Sequence, residues 1–374
     1  MRMKKSILGW ACCLLAVLAA KAGGADDRKP SNLREALSPA WSLRASQREM
    51  IVSVSPVRQT VQLLSSSAML LGAGIDAMVN EKHLKAVRAA LGDYDAGKTF
   101  EETLASRLSQ ALPQGLSRVA ALTSAAGFKD EREAQKARFQ GLARSGHDVL
   151  LDLKMTYGLF GYEGLLVARL EGRLIRLADS RTLWSGAFVV SADPVLANTK
   201  RKDPTKRLGA NLAHPRLTVE KDAVARWTSD GGATIRARFE DAVDGVVSAL
   251  LCRLGLAVEA KGEYHLGLVS MNQKRFAEAD EHFRRAIALN TAWPEPQNAR
   301  AVNLARNKQI DDAMAICAEL TKNHPDFGPA WFNLAWWNAV QKKDTATARP
   351  LYEKALALGM PADPKLDRLL VSQH

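Results

Sequence analysis

Cysteine is scarce in this chain, with four residues in 374. Cys12 and Cys13 lie within the first 22 residues, so the remainder of the chain contains only Cys252 and Cys317. Two cysteines so far apart do not have the spacing of a metal site. They could pair in an oxidising compartment. Each lies in an apolar pattern, however, which predicts two small buried side chains.

The chain also lacks the short motifs of the common catalytic sites. We find no His-Glu-x-x-His, no Gly-x-Ser-x-Gly and no phosphate loop with Gly-Lys-Ser. A catalytic triad whose residues are distant in sequence and meet only in the fold is the alternative that these absences leave. These absences predict a protein with no catalytic residue, no metal and no cofactor. The histidines are scattered, without the spacing that holds a metal ion on one helix face: His83, His147, His214, His265, His282, His324 and His374.

The composition is that of a soluble globular protein, and the length suits two domains. Hydrophobic residues make up 47% of the chain and charged residues 25%. The formal charge of +12 falls to +8 when residues 1–22 are removed, because four bases and no acid leave with them: Arg2, Lys4, Lys5 and Lys21. Simple solubility and contact with an anionic surface are the two interpretations of this charge. Nucleic acid is not an expected partner.

Residues 1–22 have the organisation of a secretory signal peptide. A positively charged start precedes a mostly apolar run over residues 7–20, and Ala20-Lys21-Ala22 supplies the small residues for cleavage before Gly23. The apolar run is shorter than a typical membrane span. We therefore predict export to the periplasm, with a lipoprotein anchored at Cys12 or Cys13 as the alternative.

A tether is predicted over residues 23–48, which are rich in Gly, Pro, Ser and charge and have no periodicity.

The apolar stretch over 61–79 contains three small residues at the spacing of a dinucleotide-binding loop: Gly72, Gly74 and Ala77. That loop requires a strand directly before it, and the preceding residues form a poor strand. A close-packed helix or loop is the preferred interpretation, and peripheral membrane contact is the alternative.

A mixed α/β domain is predicted over residues 49–256. Its last three strands alternate apolar and polar residues, which predicts an antiparallel meander with one buried face. Residues 192–229 are predicted to be irregular, and the basic run at 200–207 reads as a solvated loop or an anionic-surface contact. We predict strands over 50–57, 117–124, 147–157, 165–175 and 182–191, and helices over 100–112, 130–143 and 234–256.

This order of elements has a counterpart in a known family. With Asp148 opening the third strand and Leu183-Trp184-Ser185-Gly186 in the last, it resembles the small α/β domain shared by CsgG-type curli-secretion lipoproteins and the amino-terminal domain of TolB. The resemblance implies a role in envelope assembly or secretion.

The region 257–374 repeats itself with a period of 34 residues. Each copy reads as two amphipathic helices, and the copies span 260–293, 294–327 and 328–362. Matching small or apolar residues recur in the second helices, one place late in the third copy: Ala279, Phe283 and Ala286, then Ala313, Cys317 and Leu320, then Ala348, Tyr352 and Ala355. This pattern resembles the tetratricopeptide repeat (TPR), a helix-turn-helix unit. The whole chain is thus expected to be α+β, a small α/β domain followed by an all-α TPR domain.

The TPR resemblance implies a groove lined by the first helix of each pair, suited to an extended or helical peptide. The alternative is that these residues only pack against a neighbouring domain or helix. We predict a non-catalytic adaptor or scaffold that binds a protein or peptide partner in envelope assembly or secretion. An envelope hydrolase or transferase with its site in the first domain, braced by the repeats, is the competing prediction. The family's groove positions correspond to Tyr264, Leu268, Asn272, Asn298, Val302, Arg306, Phe332, Trp336 and Val340.

Overall fold

The computed structural model describes residues 32–45, 49–53, 80–112, 115–122, 126–161, 164–198 and 220–371. The predicted signal peptide, the apolar stretch 61–79 and the basic run 200–207 lie outside these residues. Within them, none of the helices combines the length and the apolar character needed to cross a bilayer. The predicted α+β class is confirmed, because a mixed sheet with helices comes first and an all-helical region follows.

The described strands form one mixed sheet, in which β4 is central. The strand order is β3-β1-β4-β5-β6, and β2 also pairs with β4. As predicted, β4, β5 and β6 form an antiparallel meander. β1 and β2 run parallel to β4 and pair with the edge of β4 that faces away from β5. The strands are β1 (Pro39–Ala45), β2 (Ile51–Ser53), β3 (Ser117–Arg118), β4 (Val149–Phe160), β5 (Leu165–Arg176) and β6 (Arg181–Ser191).

One tether prediction and one strand prediction differ from the structure. The tether predicted over 23–48 contains β1, whose pairing with β4 runs from Pro39 opposite Val149 to Ala45 opposite Met155. Trp41, Leu43 and Ala45 alternate with Ser42 and Arg44, but this short strand was not recognised in a stretch rich in Gly, Pro, Ser and charge. The strand predicted over 117–124 is reduced to the two residues of β3.

Helices α3 and α6 cover one face of the sheet. Tyr157 of β4 lies with its ring centroid 6.2 Å from that of Phe100 in α3 and 5.2 Å from that of Phe239 in α6. Helices α3, α4 and α6 were predicted from the sequence, whereas α2 was not. The prediction that residues 192–229 are irregular is wrong where α5 forms. The helices are α1 (Asn32–Glu35), α2 (80–91), α3 (Ala96–Ala111), α4 (Glu131–Arg144), α5 (Glu220–Thr228) and α6 (Ala233–Arg253).

One glycine permits β2 to join the sheet. Gly158 has a φ of +151°, and a Cβ atom at this position would lie 2.0 Å from the carbonyl oxygen of Ile51. Only glycine tolerates both that conformation and that approach. A side chain at residue 158 would push β2 away from β4.

Residues 260–371 form the region that we call the helical array. Its first three helix pairs are α7 with α8, α9 with α10, and α11 with α12. The turn inside each pair holds a lysine with positive φ, at Lys274, Lys308 and Lys343. A π-helical turn over Trp337–Lys342 accommodates the extra residue of the third copy. The helices are α7 (Ala260–Asn272), α8 (Phe276–Leu289), α9 (Pro294–Arg306), α10 (Ile310–Asn323), α11 (Gly328–Trp336), α12 (Thr345–Ala357) and α13 (Pro364–Val371).

The array is packed directly against the sheet region. A Cβ atom on Gly245 of α6 would lie 2.5 Å from Nε2 of His265 in α7, so the absence of a side chain lets the two helices meet. Arg107 of α3 binds Asp244 of α6 at 2.5 Å and Glu259, just before α7, also at 2.5 Å. One guanidinium therefore ties the sheet region to the start of the array.

Candidate functional site on the first helices of the array

The nine predicted groove residues lie on the surface formed by α7, α9, α11 and the π-helical turn, which we call the first-helix face. They fall into two groups. Four are buried, at 8% exposure or less: Tyr264, Asn298, Val302 and Phe332. The other five reach solvent, with Asn272 exposed and the rest half-buried: Leu268, Asn272, Arg306, Trp336 and Val340. We call these five the open part of the face.

The buried part is covered by the chain itself. Residues 194–198 follow β6 and belong to no strand or helix. We call them the resident segment. The carbonyl oxygen of Val195 accepts a hydrogen bond from Nδ2 of Asn298 at 2.8 Å. The backbone N–H of Ala197 donates to Oδ1 of Asn333 at 2.7 Å. The face thus binds a polypeptide main chain.

Two adjacent apolar side chains anchor the resident segment. Val195 is 3% exposed and belongs to the cluster that contains Tyr264 and Val302. Leu196 is 6% exposed and belongs to the next cluster along the array, with Phe332. Burial of each side chain contributes roughly 1.5–3 kcal/mol. The segment therefore joins two apolar clusters of the array.

The two asparagines form one connected amide pair, which we call the Asn298–Asn333 pair. Nδ2 of Asn333 donates to Oδ1 of Asn298 at 2.8 Å. Both side chains are almost fully buried, at 0% and 2% exposure. A buried amide without partners costs about 1–3 kcal/mol, and the carbonyl of Val195 and the N–H group of Ala197 supply the partners here.

Polar contacts fix both ends of the resident segment. Nδ2 of Asn198 donates to Oδ2 of Asp363 at 2.6 Å. Asp363 is 2% exposed and also accepts the N–H group of Lys365 at 2.8 Å, where α13 begins. At the other end, Asp193 pairs with Arg226 of α5 at 3.0 Å.

Sequence reasoning missed the resident segment together with Asn333 and Asp363. The segment falls in the stretch predicted to be irregular, and Asn333 is not one of the groove positions carried over from the family. The available signal was the adjacent apolar pair Val195-Leu196 in a stretch predicted to be irregular. Such a pair predicts burial against something, although the sequence does not say against what.

The competing prediction of an enzyme points to the sheet region, which contains a cavity of about 580 Å³. At this cavity, Asp152 binds Arg138 at 3.2 Å, Arg173 at 2.6 Å and the hydroxyl of Ser42 at 2.8 Å. Burial alone would raise the pKa of Asp152. The hydrogen bond from Ser42 and the two arginines lower the pKa by more than burial raises it, so the net shift is downward. We call these four residues the Asp152 cluster. A strongly ionised carboxylate is unsuited to act as a general acid.

One motif match was missed by the sequence analysis. Residues 92–99 read Gly-Asp-Tyr-Asp-Ala-Gly-Lys-Thr, which has the spacing of a phosphate-binding loop. Such a loop follows a strand, whereas here helix α2 precedes it. In addition, the carboxylate of Asp95 accepts the N–H group of Lys98 at 2.8 Å and so occupies the start of α3. The geometry therefore does not form a phosphate site.

Two of the described histidines, His265 and His282, lie inside the helical array. Nδ1 of His282 lies 2.7 Å from Oε2 of Glu263. Burial and the nearby Lys261 lower the pKa of His265 to about 3.

Both cysteines of the described chain are free, so the alternative of a disulfide is wrong. Burial raises the pKa of the Cys252 thiol to about 11 and also raises that of Cys317. Over the described residues, no group of three or more His, Cys, Asp or Glu side chains is placed to hold a metal ion.

Comparisons with known proteins give a limited result. No family model matches the chain. No curated protein matches it. Among solved structures, the crystal structure of MamA is similar, with 18% sequence identity and a TM-score of 0.28, over 37% of this chain and 89% of that one. The description of the array as TPR-like therefore rests on its helix pairs and their spacing.

Proposed function

We propose that this chain is a non-catalytic scaffold that binds a protein partner through the first-helix face of a TPR domain. One observation carries the proposal: the Asn298–Asn333 pair holds the main chain of an extended segment. Contacts to the main chain do not depend on the side chains of the bound segment, whereas neighbouring apolar sites select among segments. The face is therefore built to recognise polypeptide.

The open part of the face is where a partner meets the chain first. Asn272 is exposed, and the ring of Trp336 is half-buried beneath the ammonium of Lys365, 5.1 Å from the ring centroid. An accessible aromatic ring on the same face as the amide of Asn272 and the guanidinium of Arg306 suits a segment with one apolar anchor and free main-chain groups.

We further propose that the scaffold works in the periplasm, in envelope assembly or secretion. The signal-peptide pattern of residues 1–22 supports export, and the resemblance of the first domain to CsgG-type and TolB domains supports the pathway. In this proposal the sheet region over 49–256, extended to include β1, docks onto the assembly and the domain over 257–374 recruits the partner.

Site-specific photocrosslinking tests the proposed function. Benzoylphenylalanine replaces Asn272 in one full-length variant and, as a matched control, the exposed Arg285 on α8 in another. We expect a discrete adduct with one protein in the envelope fraction from position 272 and none from position 285. Equal adducts from both positions, or none from either, would remove the groove from the proposal.

Export is tested separately by mass spectrometry of the protein purified from the periplasm. A mature chain that begins at Gly23 is expected. A chain recovered from the cytoplasm with Met1 would contradict the proposed location.

A further inference from the structure

The first-helix face is already occupied, and its occupant is a part of the chain that forms neither strand nor helix. The resident segment reads Pro-Val-Leu-Ala-Asn over residues 194–198. We propose that it is a displaceable internal ligand, which masks the face until an extended segment of a partner protein with the same chemistry replaces it. This inference rests on the proposed function and defines the class of partner.

The contacts specify what a replacing segment must offer. Its first position presents a carbonyl to Asn298, and its third presents an N–H group to Asn333, as Val195 and Ala197 do. Proline is excluded at the third position because it has no N–H group. The first and second positions carry apolar side chains, as Val195 and Leu196 do.

The fourth position carries a hydrogen-bond donor. Asn198 donates from its side chain to Asp363, which is almost fully buried. A partner segment with Asn, Gln, Ser or Lys at this position satisfies the same carboxylate. The recognised pattern is therefore apolar, apolar, any residue except proline, and donor.

The buried amides make exchange more favourable than simple release. If the resident segment left without replacement, two amide side chains at 2% exposure or less would lose main-chain partners. A competing segment restores those hydrogen bonds as it enters. The flanking ion pair between Asp193 and Arg226 is partly exposed, with 38% of the Arg226 side chain accessible, and resists displacement only weakly.

Because the resident segment is tethered to the face, it competes strongly with a free peptide for the same contacts. A segment linked closely to its own site has an effective concentration on the order of millimolar. A free peptide must therefore approach that concentration to displace it from the unmodified chain. Removing the resident anchor is expected to raise the apparent affinity for the same peptide by about 100-fold or more.

The experiment titrates a labelled peptide with the sequence Asp-Pro-Val-Leu-Ala-Asn, blocked at both ends, against three full-length proteins. They are the unmodified chain, Leu196→Asp, which removes a buried anchor, and Leu289→Asp, which makes the same change at a position 47% exposed on α8. We expect tight, saturable binding to Leu196→Asp only. A peptide N-methylated at its alanine amide is expected to bind at least about 10-fold more weakly, because it lacks the N–H group that Asn333 accepts.

A second measurement uses only the unmodified chain and therefore does not depend on the folding of a variant. Millimolar peptide should accelerate hydrogen exchange at the amide of Ala197, since displacement exposes it. Unchanged exchange, or peptide binding by a folded Leu196→Asp variant no tighter than by the unmodified chain, overturns the internal-ligand proposal. Photocrosslinking at residue 272 can still succeed in that case, and the scaffold function would then use the open part alone.

Discussion

The sheet region and the helical array each bury polar groups, but they satisfy them in different ways. In the Asp152 cluster, a carboxylate, two guanidinium groups and a hydroxyl bind one another. In the array, the Asn298–Asn333 pair is completed by the main chain of residues 195–197. In the first arrangement the charged side chains satisfy one another, whereas the second is completed by polypeptide main chain. This difference is why we place the function on the array.

The largest expected effect tests whether the buried part of the first-helix face is core or surface. Phe332→Ala removes a ring that is 0% exposed, and we expect the free energy of unfolding to fall by about 3–5 kcal/mol. Urea denaturation measures the loss. Trp336→Ala, at a half-buried position of the same helix, is the control and should cost clearly less. Equal losses would show that the division of the face into buried and open parts is incorrect.

The next effect tests whether the Asp152 cluster is self-contained. Asp152→Asn leaves Arg138, whose side chain is 11% exposed, without its carboxylate, and we expect a loss of about 2–3 kcal/mol in the free energy of unfolding. Asp179→Asn, which removes an exposed ion pair with Arg176, should change stability much less. If Asp152→Asn were harmless to stability but abolished a cellular function, the cluster would be a functional site instead.

A smaller effect is expected from the amide pair. Asn298→Ala leaves the carbonyl of Val195 and the amide of Asn333 without their partner, at a cost of about 1–3 kcal/mol. Asn272→Ala changes the same residue type at an exposed position of α7 and should stay within about 0.5 kcal/mol of the unmodified chain. Thermal unfolding distinguishes the two variants. Similar values would mean that the pair does not depend on the resident segment.

At neutral pH the smallest effect concerns the junction of the two regions, because it develops only as the solution becomes acidic. His265 has a folded-state pKa of about 3, below the value of about 6.5 expected in the unfolded chain. The unfolded chain therefore binds this proton first, and stability should fall as the pH drops from about 6.5 towards 3, by at most about 1.4 kcal/mol per pH unit. Above pH 6.5 this histidine contributes no slope.

Denaturation at several pH values checks this prediction against His265→Phe, which keeps a ring and cannot be protonated. The difference in slope between the two proteins isolates His265 from the carboxylates that titrate below about pH 5. Parallel curves would contradict the assignment.

The array could be predicted from sequence because its information is local. Each helix pair repeats after 34 residues, and the lysines at 274 and 308 occupy the same turn in successive copies. The meander of β4, β5 and β6 was predictable for the same reason, since alternation within each strand reports its two faces. β1 was missed although Trp41 and Leu43 alternate with Ser42 and Arg44, because the strand is short and its pairing with β4 joins residues 110 positions apart.

The candidate site was only partly predictable. The face and the residue Asn298 were predicted from the TPR resemblance, whose groove positions lie on the first helix of each pair. The occupant did not follow. Val195 and Asn298 are separated by 103 positions in the chain, and no periodicity connects them.

By itself, therefore, the amino-acid sequence determined the α+β class, the helix pairs and the surface they present, since each depends on contacts between near neighbours in the chain. Only the tertiary structure decided that the buried part of this surface is covered by residues 194–198 and that Asp152 pairs with Arg138 and Arg173. Both facts depend on contacts between segments that are distant in sequence. Burial and hydrogen bonding across the fold stabilise such contacts, and no local sequence pattern reports them.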